Sequence, residues 1–382
     1  MDVRAIILTG LAPEENEASA DSSFSGVPFS LLPVLGRPLL HRIADRLNDA
    51  GIDSISVLNA ASGELPLVQE ARRADLKWRD VSSEQMWRAV EEQFDELVQS
   101  GAEMVLVMRL GAYAEVEIDP LLQFHLDKRN HVTQVAASDG PLDFFVLSAS
   151  RRNDAAFLFR NKLAKTRVPA PPFVTAGYVN SLRNAGDLRR LVQDAFALKT
   201  AIQPLGKEVR PGIWVANGAK IHRSVRMVAP CYIGAFSKIR AGALITRGSA
   251  IEHHAVVDCG TVVEASTLLP LSCLGPGLDL TYSVVGSRRI ASVKYGAELE
   301  VEDEALVSSV PSTSMLRTLS NAAGLLAFVP RQVVRGFSGS KARKTQVASE
   351  CPSGNFDPGA AAHSVGQDRP ALTSGVVARA RE

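Results

Sequence analysis

Residues 213–278 read IWVANGAKIHRSVRMVAPCYIGAFSKIRAGALITRGSAIEHHAVVDCGTVVEASTLLPLSCLGPGL. Stepping by six from Val215 gives Val215, Ile221, Met227, Ile233, Ile239, Ile245, Ile251, Val257, Val263 and Leu269, an unbroken aliphatic or methionine series. Two residues before each stands a mostly small side chain: Ala219, Val225, Cys231, Ser237, Ala243, Ser249, Ala255, Thr261 and Thr267. Turn-forming residues close many of the units, as at Gly218, Pro230, Gly242, Gly248, Gly260 and Ser266. A period of six matches neither the helical period nor the alternation of a half-buried strand. It matches a triangular solenoid, a left-handed parallel β-helix in which each hexad is one side of a coil and the aliphatic column points inward. Cys231 and Cys273 are expected in the small inward column as packing residues without a redox role. Past Leu278 the period blurs, and Ser283 to Val285, Ala291 to Val293 and Ala305 to Val310 read as short strands of one irregular terminal coil. The repeat specifies a fold and not an activity.

Upstream, strand and helix patterns alternate. Ala5 to Leu8, Ser54 to Leu58, Met104 to Met108 and Val132 to Ala136 read as strands. Pro38 to Ala50, Ser83 to Val98 and Leu121 to Lys128 read as helices, the first with Pro at its opening turn and Gly51 past its end. Such βαβα order implies a doubly wound parallel sheet with helices on both faces. The expected division is an α/β domain over 1–205, the β-helix over 206–310, a helix over 311–335 and a disordered tail over 336–382. The helix rests on SMLRTLSNAAGLLAFV before Pro330, with Leu316, Leu319, Ala323 and Leu326 as a stripe and Arg317, Arg331 and Arg335 flanking it. Packing along the solenoid, or capping its open end, is the favoured role. Contact of 312–329 with a membrane surface is the other reading. The tail is rich in Ser, Gly, Ala and Pro and has no periodicity.

The upstream segments AIILTG, LLPVLGRPLL and AGIDSISVL, the central VLVMRLGAYAEVEIDPLLQFHLDKRNHVTQVAAS, and AGYVNSLRNAGDLRRLV followed by the hexad repeat resemble the sugar-phosphate nucleotidyltransferases, or NDP-sugar pyrophosphorylases. Members similar to mannose-1-phosphate guanylyltransferase carry a hexapeptide β-helix after the α/β domain. The resemblance covers about residues 3 to 290. It implies a nucleoside triphosphate and a sugar 1-phosphate as substrates, with Mg²⁺ as cofactor if the site is active, and a role in nucleotide-sugar and polysaccharide metabolism.

The family's chemical motifs are not matched. Where the family has a Gly-rich loop with an arginine, only Gly10, next to Thr9, corresponds. The chain continues Leu11, Ala12, Pro13 and then carries Glu14, Glu15, Glu17 and Asp21, which would repel a triphosphate. The family's phosphate-contacting lysine falls on the stretch Pro28, Phe29, Ser30. Its first metal-holding aspartate falls on Arg109 and Leu110, and its second on Asn180, which keeps an oxygen and loses the charge. Mg²⁺ is ordinarily held by one or two carboxylates together with substrate phosphates. These departures imply a catalytically impaired member acting in binding, assembly or regulation, as a homo-oligomer or paired with an active paralogue. An active nucleotidyltransferase, with other residues such as Arg109 standing in, is one alternative. Another is a hexapeptide acyltransferase, with His253 or His254 (and His222 nearby) as general base. On the six-residue register His253 and His254 fall at a corner, where surface histidines are the plainer reading.

Composition bounds the rest. The chain has 382 residues, 46% of them hydrophobic, and a net charge of +1. That is length for two domains, and a charge that argues against a general nucleic-acid binder. The N-terminus shows no signal-peptide pattern, and no apolar run reaches the length of a membrane span. The four cysteines form no CxxC pair, so a reduced, cytoplasmic protein is expected.

Overall fold

In the computed structural model, residues 2–10, 23, 24, 26–60, 63, 65–151, 155, 156, 159 and 170–310 are described. The expected helix over 311–335, the tail, and the acidic stretch from Glu14 to Asp21 lie outside them.

Seven strands make the α/β sheet: β1 Val3–Thr9, β2 Ile55–Asn59, β3 Lys77–Asp80, β4 Met104–Arg109, β5 Val132–Ala137, β6 Gly140–Ser148 and β7 Phe173–Val174. Their spatial order is β7-β5-β6-β4-β1-β2-β3. β1 runs parallel to both β2 and β4, and β2 parallel to β3. The parallel order is interrupted at β6, which returns antiparallel to β5 through Ser138 and Asp139 and lies antiparallel against β4. On β1 the side chains divide by parity. Ala5 and Ile7 enter a core shared with helices α1 Leu39–Asp49, α4 Ile118–Asp127 and α5 Ala185–Phe196. Ile6 and Leu8 enter a second core under α3 Met86–Gln99. A short helix, α2 Pro66–Glu70, follows β2. Among the described residues no helix is long and apolar enough to cross a membrane.

The solenoid is a three-sided parallel β-helix. One face holds Ile213–Val215, Cys231–Ile233, Ser249–Ile251, Thr267–Leu268 and Ser283–Gly286, a second begins at Lys220–Ile221, and a third at Arg226–Met227. Ile233, Ile239, Ile245, Ile251, Val257 and Val263 are fully or almost fully buried in one column, with Val215, Ile221 and Met227 packed at its margin.

The column then slips. Ile233 pairs with Ile251, eighteen residues on, whereas Ile251 pairs with Leu268, seventeen on. Val257 and Leu274, and Val263 and Leu280, keep the shorter step. Leu268 therefore takes the inward place expected for Leu269. Leu269 points the other way and is buried in the α/β core. For the same reason Ser266 and Ser272 are fully buried, while Cys273 is only partly so, against the expectation that it faces inward with Cys231. Cys231 and Cys273 are free thiols.

The terminal strands are not a further coil. Asp279–Thr281 and Ser283–Gly286 stay parallel, after which Arg289–Ser292, Ala297–Glu300 and Val307–Ser309 all pair antiparallel.

The first solenoid face is also a wall of the α/β core. Tyr232, Ala250, Leu269, Val284 and Ala291 share one hydrophobic cluster with Leu35, Leu39, Leu188 and Leu191. Phe196 of α5 stacks on Trp214 with ring centroids 5.8 Å apart. At 25 cal/mol per Å², a few buried aromatic and leucine side chains on each side make this seam worth several kcal/mol. Two polar anchors cross it. Arg189 of α5 is 2% exposed and donates through Nε to the Ala265 carbonyl at 2.7 Å and through Nη1 to Thr267 Oγ1 at 3.4 Å. Glu252 of the solenoid, fully buried, accepts from the backbone N–H of Leu35 at 2.8 Å and of Gly36 at 2.9 Å. Leu35 and Gly36, with φ of 52° and 91°, form the two-residue turn between the strands Pro33–Val34 and Arg37–Pro38. Positive φ at both positions directs this turn's free N–H groups outward, and the carboxylate receives them.

Candidate functional site

In an open α/β sheet the natural ligand site lies at the carboxyl ends of the strands. Here those ends belong to β1, β2, β3 and β4. Thr9, 1% exposed, ends β1 and donates its hydroxyl to Asn59 Oδ1 at 2.9 Å. Asn59 ends β2 and donates Nδ2 to Asp80 Oδ1 at 3.0 Å. Asp80 ends β3, also accepts from Trp78 Nε1 at 3.0 Å, and pairs with Arg72. Burial works to raise the Asp80 carboxyl, but the donors Asn59, Trp78 and Arg72 outweigh it and hold it below the ordinary value. The result is a polar line across three strand ends whose members satisfy one another. Gly10 follows Thr9 with φ of 73°, a conformation that suits glycine.

Arg109 ends β4 in register with Leu8 of β1. Its side chain is 11% exposed and its Nη1 lies 3.6 Å from Asp143 Oδ2 on β6. Leu110 continues the edge, its N–H bonded to the Leu8 carbonyl at 2.9 Å. A guanidinium thus occupies the strand end where the resemblance calls for a metal-holding carboxylate. Asn180, 5% exposed, lies in the short strand Val179–Asn180, which pairs with Tyr113–Ala114. Its Oδ1 accepts from the Leu182 N–H at 3.0 Å, and its Nδ2 donates to the Asp187 carbonyl at 3.0 Å. Both ends of the amide are engaged in holding the loop before α5. Neither residue fits Mg²⁺: one is a cation, and the other is occupied by backbone. Among the described residues, no group of three or more His, Cys, Asp or Glu side chains could hold a metal ion.

Of the sequence candidates, Thr9 and Gly10 meet at this edge with Arg109, and Asn180 serves the backbone. His253 and His254 stand elsewhere, where the third coil meets α2. His253 Nε2 lies 3.3 Å from Glu70 Oε2, and its Nδ1 lies 3.2 Å from His254 Nδ1. Burial, and then His254, pushes the His253 ring down to about 4, so it is neutral near pH 7. His254, with φ of 56°, stacks on Phe236 at 5.2 Å. His222 Nδ1 bonds Ser224 Oγ at 2.8 Å on the exposed surface. His254 stands at a corner of its coil, whereas His253 is a seam residue with both ring nitrogens engaged. Sequence reasoning missed Asn59, Asp80 and Asp143 at the strand ends. Asn59 ends β2, beside β1, Asp80 ends β3, beside β2, and Asp143 reaches Arg109 only through the antiparallel return of β6. A depression of about 390 Å³ lined by Asp2, Arg4, Asp53 and Lys77 lies at the opposite, amino ends of β1 and β2, away from this chemistry.

No protein-family profile matches the chain. Over 106 residues it is 34% identical to a UTP--glucose-1-phosphate uridylyltransferase of Synechocystis sp., a match that spans 28% of this chain and 27% of that protein. Crystal structures of HddC from Yersinia pseudotuberculosis, one of them complexed with GMP-PN, are similar at 15% identity and a TM-score of 0.38, covering 50% of this chain and 97% of theirs. The sequence match supports a sugar-phosphate nucleotidyltransferase-like class for a chain of mixed α/β and β-helix architecture.

Proposed function

We propose that this chain is a nucleotidyltransferase-like protein of nucleotide-sugar metabolism that does not carry out Mg²⁺-dependent nucleotidyl transfer. It works instead as a binding, assembly or regulatory subunit, as a homo-oligomer or beside an active paralogue. The observation that carries this reading is Arg109, paired with Asp143 at the strand end where a metal carboxylate would stand. Phosphoryl-type transfer depends on electrostatic positioning of polyphosphate and metal, so a fixed cation at the metal position removes the step's main support. Asn180 adds to this, because its amide oxygen is already an acceptor for Leu182.

The test is calorimetric titration of the full chain with a panel of nucleoside triphosphates, sugar 1-phosphates and NDP-sugars, with and without Mg²⁺, alongside an assay for pyrophosphate release. No Mg²⁺-dependent triphosphate binding and no pyrophosphate are expected. Tight triphosphate binding that requires Mg²⁺, with turnover, would overturn the proposal.

A further inference from the structure

The described part of the solenoid ends in an unpartnered sheet edge. The strand Ala297–Glu300 is last in its sheet and pairs on one side only, with Arg289–Ser292. All four of its residues are exposed. In the same terminal stretch of chain Tyr295 is 75%, Leu299 62% and Leu306 42% exposed, apolar surface that goes with the open backbone donors and acceptors of this edge. Natural sheets cover or guard such edges. The same stretch carries Glu298, Glu300, Glu302, Asp303 and Glu304 and has no Lys or Arg between Tyr295 and Val310. Among the described residues none of these five forms an ion pair. Arg289 lies across from Glu300 in the register without pairing to it.

The chain leaves the described structure at this end, where the Val310 N–H bonds the Leu271 carbonyl at 2.6 Å. Beyond Val310 the sequence is opposite in charge. Residues 311–349 contain no Asp or Glu and carry Arg317, Arg331, Arg335, Lys341, Arg343 and Lys344. They also supply the apolar stripe Leu316, Leu319, Ala323 and Leu326.

We propose that residues 312–335 dock on the acidic terminal edge of their own solenoid, covering Leu299, Leu306 and the open side of Ala297–Glu300. Charge complementarity selects a basic occupant, and apolar burial selects one with a hydrophobic stripe. Tethering selects this segment over a free partner of the same chemistry. A short linker from Val310 gives an effective concentration near the millimolar range. A contact with a dissociation constant of about 0.1 mM would then be about nine-tenths occupied. Because the attraction is between solvent-exposed charges, it weakens with salt. An anionic surface competes for the same arginines, which makes the contact displaceable.

The test is hydrogen exchange of the full chain at low and high salt. The forms compared are wild type, E298K/E300K/E302K, R317E/R331E/R335E, and the chain carrying all six reversals. In wild type at low salt, exchange in 297–300 and in 312–335 should be slowed about tenfold relative to high salt. Either triple reversal should abolish the slowing, and the six-fold reversal should restore it, which also shows that the reversed surfaces fold. Equal exchange in all four forms would overturn the proposal. So would protection that rises with protein concentration together with a doubled mass, because the occupant would then be a second copy. Slowing of 312–335 seen only on vesicles containing phosphatidylserine would likewise overturn it in favour of a membrane.

Discussion

Glu252 offers the sharpest perturbation, because its fully buried carboxyl group joins the two layers of the molecule. Burial is the larger influence on it, opposed by the Gly36 and Leu35 N–H donors and by Arg42, and the group is pushed up from 4.5 to about 8. The folded chain therefore holds this proton more tightly than the unfolded chain. The stabilisation this gives is whole below pH 4.5 and is lost as pH rises through about 8. At 1.36 kcal/mol per pKa unit, the loss between about pH 6 and about pH 9 comes to about 3 kcal/mol. Glu252→Gln removes the titration. Its amide presents one oxygen and one NH₂ where both Glu252 oxygens now accept, so either the Leu35 or the Gly36 N–H loses its acceptor. A buried donor left without its acceptor costs about 1 to 3 kcal/mol, and near pH 6 the Glu252 carboxyl it is compared with is protonated and uncharged. The variant should be clearly weaker than wild type near pH 6 and approach it near pH 9. Urea unfolding followed by tryptophan fluorescence across that range measures this, with Trp214 beside the seam as a reporter. Parallel stability curves for the two proteins would refute the reasoning, since the slope would then belong to other groups.

At Gly36 a Cβ would fall inside the Tyr232 hydroxyl and within 2.9 Å of Leu205 Cβ, at a φ of 91°. Gly36→Ala should cost about 3 kcal/mol in urea unfolding. The Tyr232 hydroxyl is buried without a partner, so Tyr232→Phe alone should be neutral or stabilising by up to about 1 kcal/mol and should recover part of the Gly36→Ala loss in a double-mutant cycle. Arg189 has a buried Nη2 without a partner and is pulled down to about 10 by burial. Arg189→Met keeps the volume and removes the charge, so its thermal midpoint should match or exceed wild type, whereas Arg189→Ala should lose about 3 kcal/mol to the cavity.

The solenoid was legible because a six-residue period repeats one environment many times. It stopped being legible where two adjacent leucines met a one-residue deletion. Ala265, Ser266 and Thr267 are small enough for either register, so the side-chain pattern alone continues to Leu269. Coil pairing, with Leu268 opposite Ile251, decides otherwise. Glu252 and His253 were illegible for a different reason. Each occupies an outward place in its coil, where a lone solenoid would leave it in water. It is the α/β layer, more than 200 residues upstream at Leu35 and Gly36, that buries Glu252. Local periodicity carries no information about which face a second layer covers. The strand-end site was half legible. Thr9 and Arg109 follow from aligning strands, while Asp143 depends on an antiparallel return that the alternating pattern did not separate from the helices around it.

An arginine where the resemblance calls for a metal-holding carboxylate would be more than the loss of a ligand. A carboxylate lowers the local potential so that a divalent cation can enter. A guanidinium raises it, and at about 4 Å and an effective dielectric of about 20 the repulsion of a dication is about 8 kcal/mol. Pairing with Asp143 at 3.6 Å offsets part of that charge and also fixes the guanidinium in place. The edge of β1 and β4 is thus unfavourable to Mg²⁺ but not to an anion that arrives without it. Binding of a sugar phosphate and transfer of a nucleotidyl group make opposite electrostatic demands at such a position, and on the proposed reading the chain would meet only the first. Under the proposed function, a subunit that holds a sugar phosphate and leaves transfer to a partner would need this separation, and pyrophosphate release by the chain alone would contradict it.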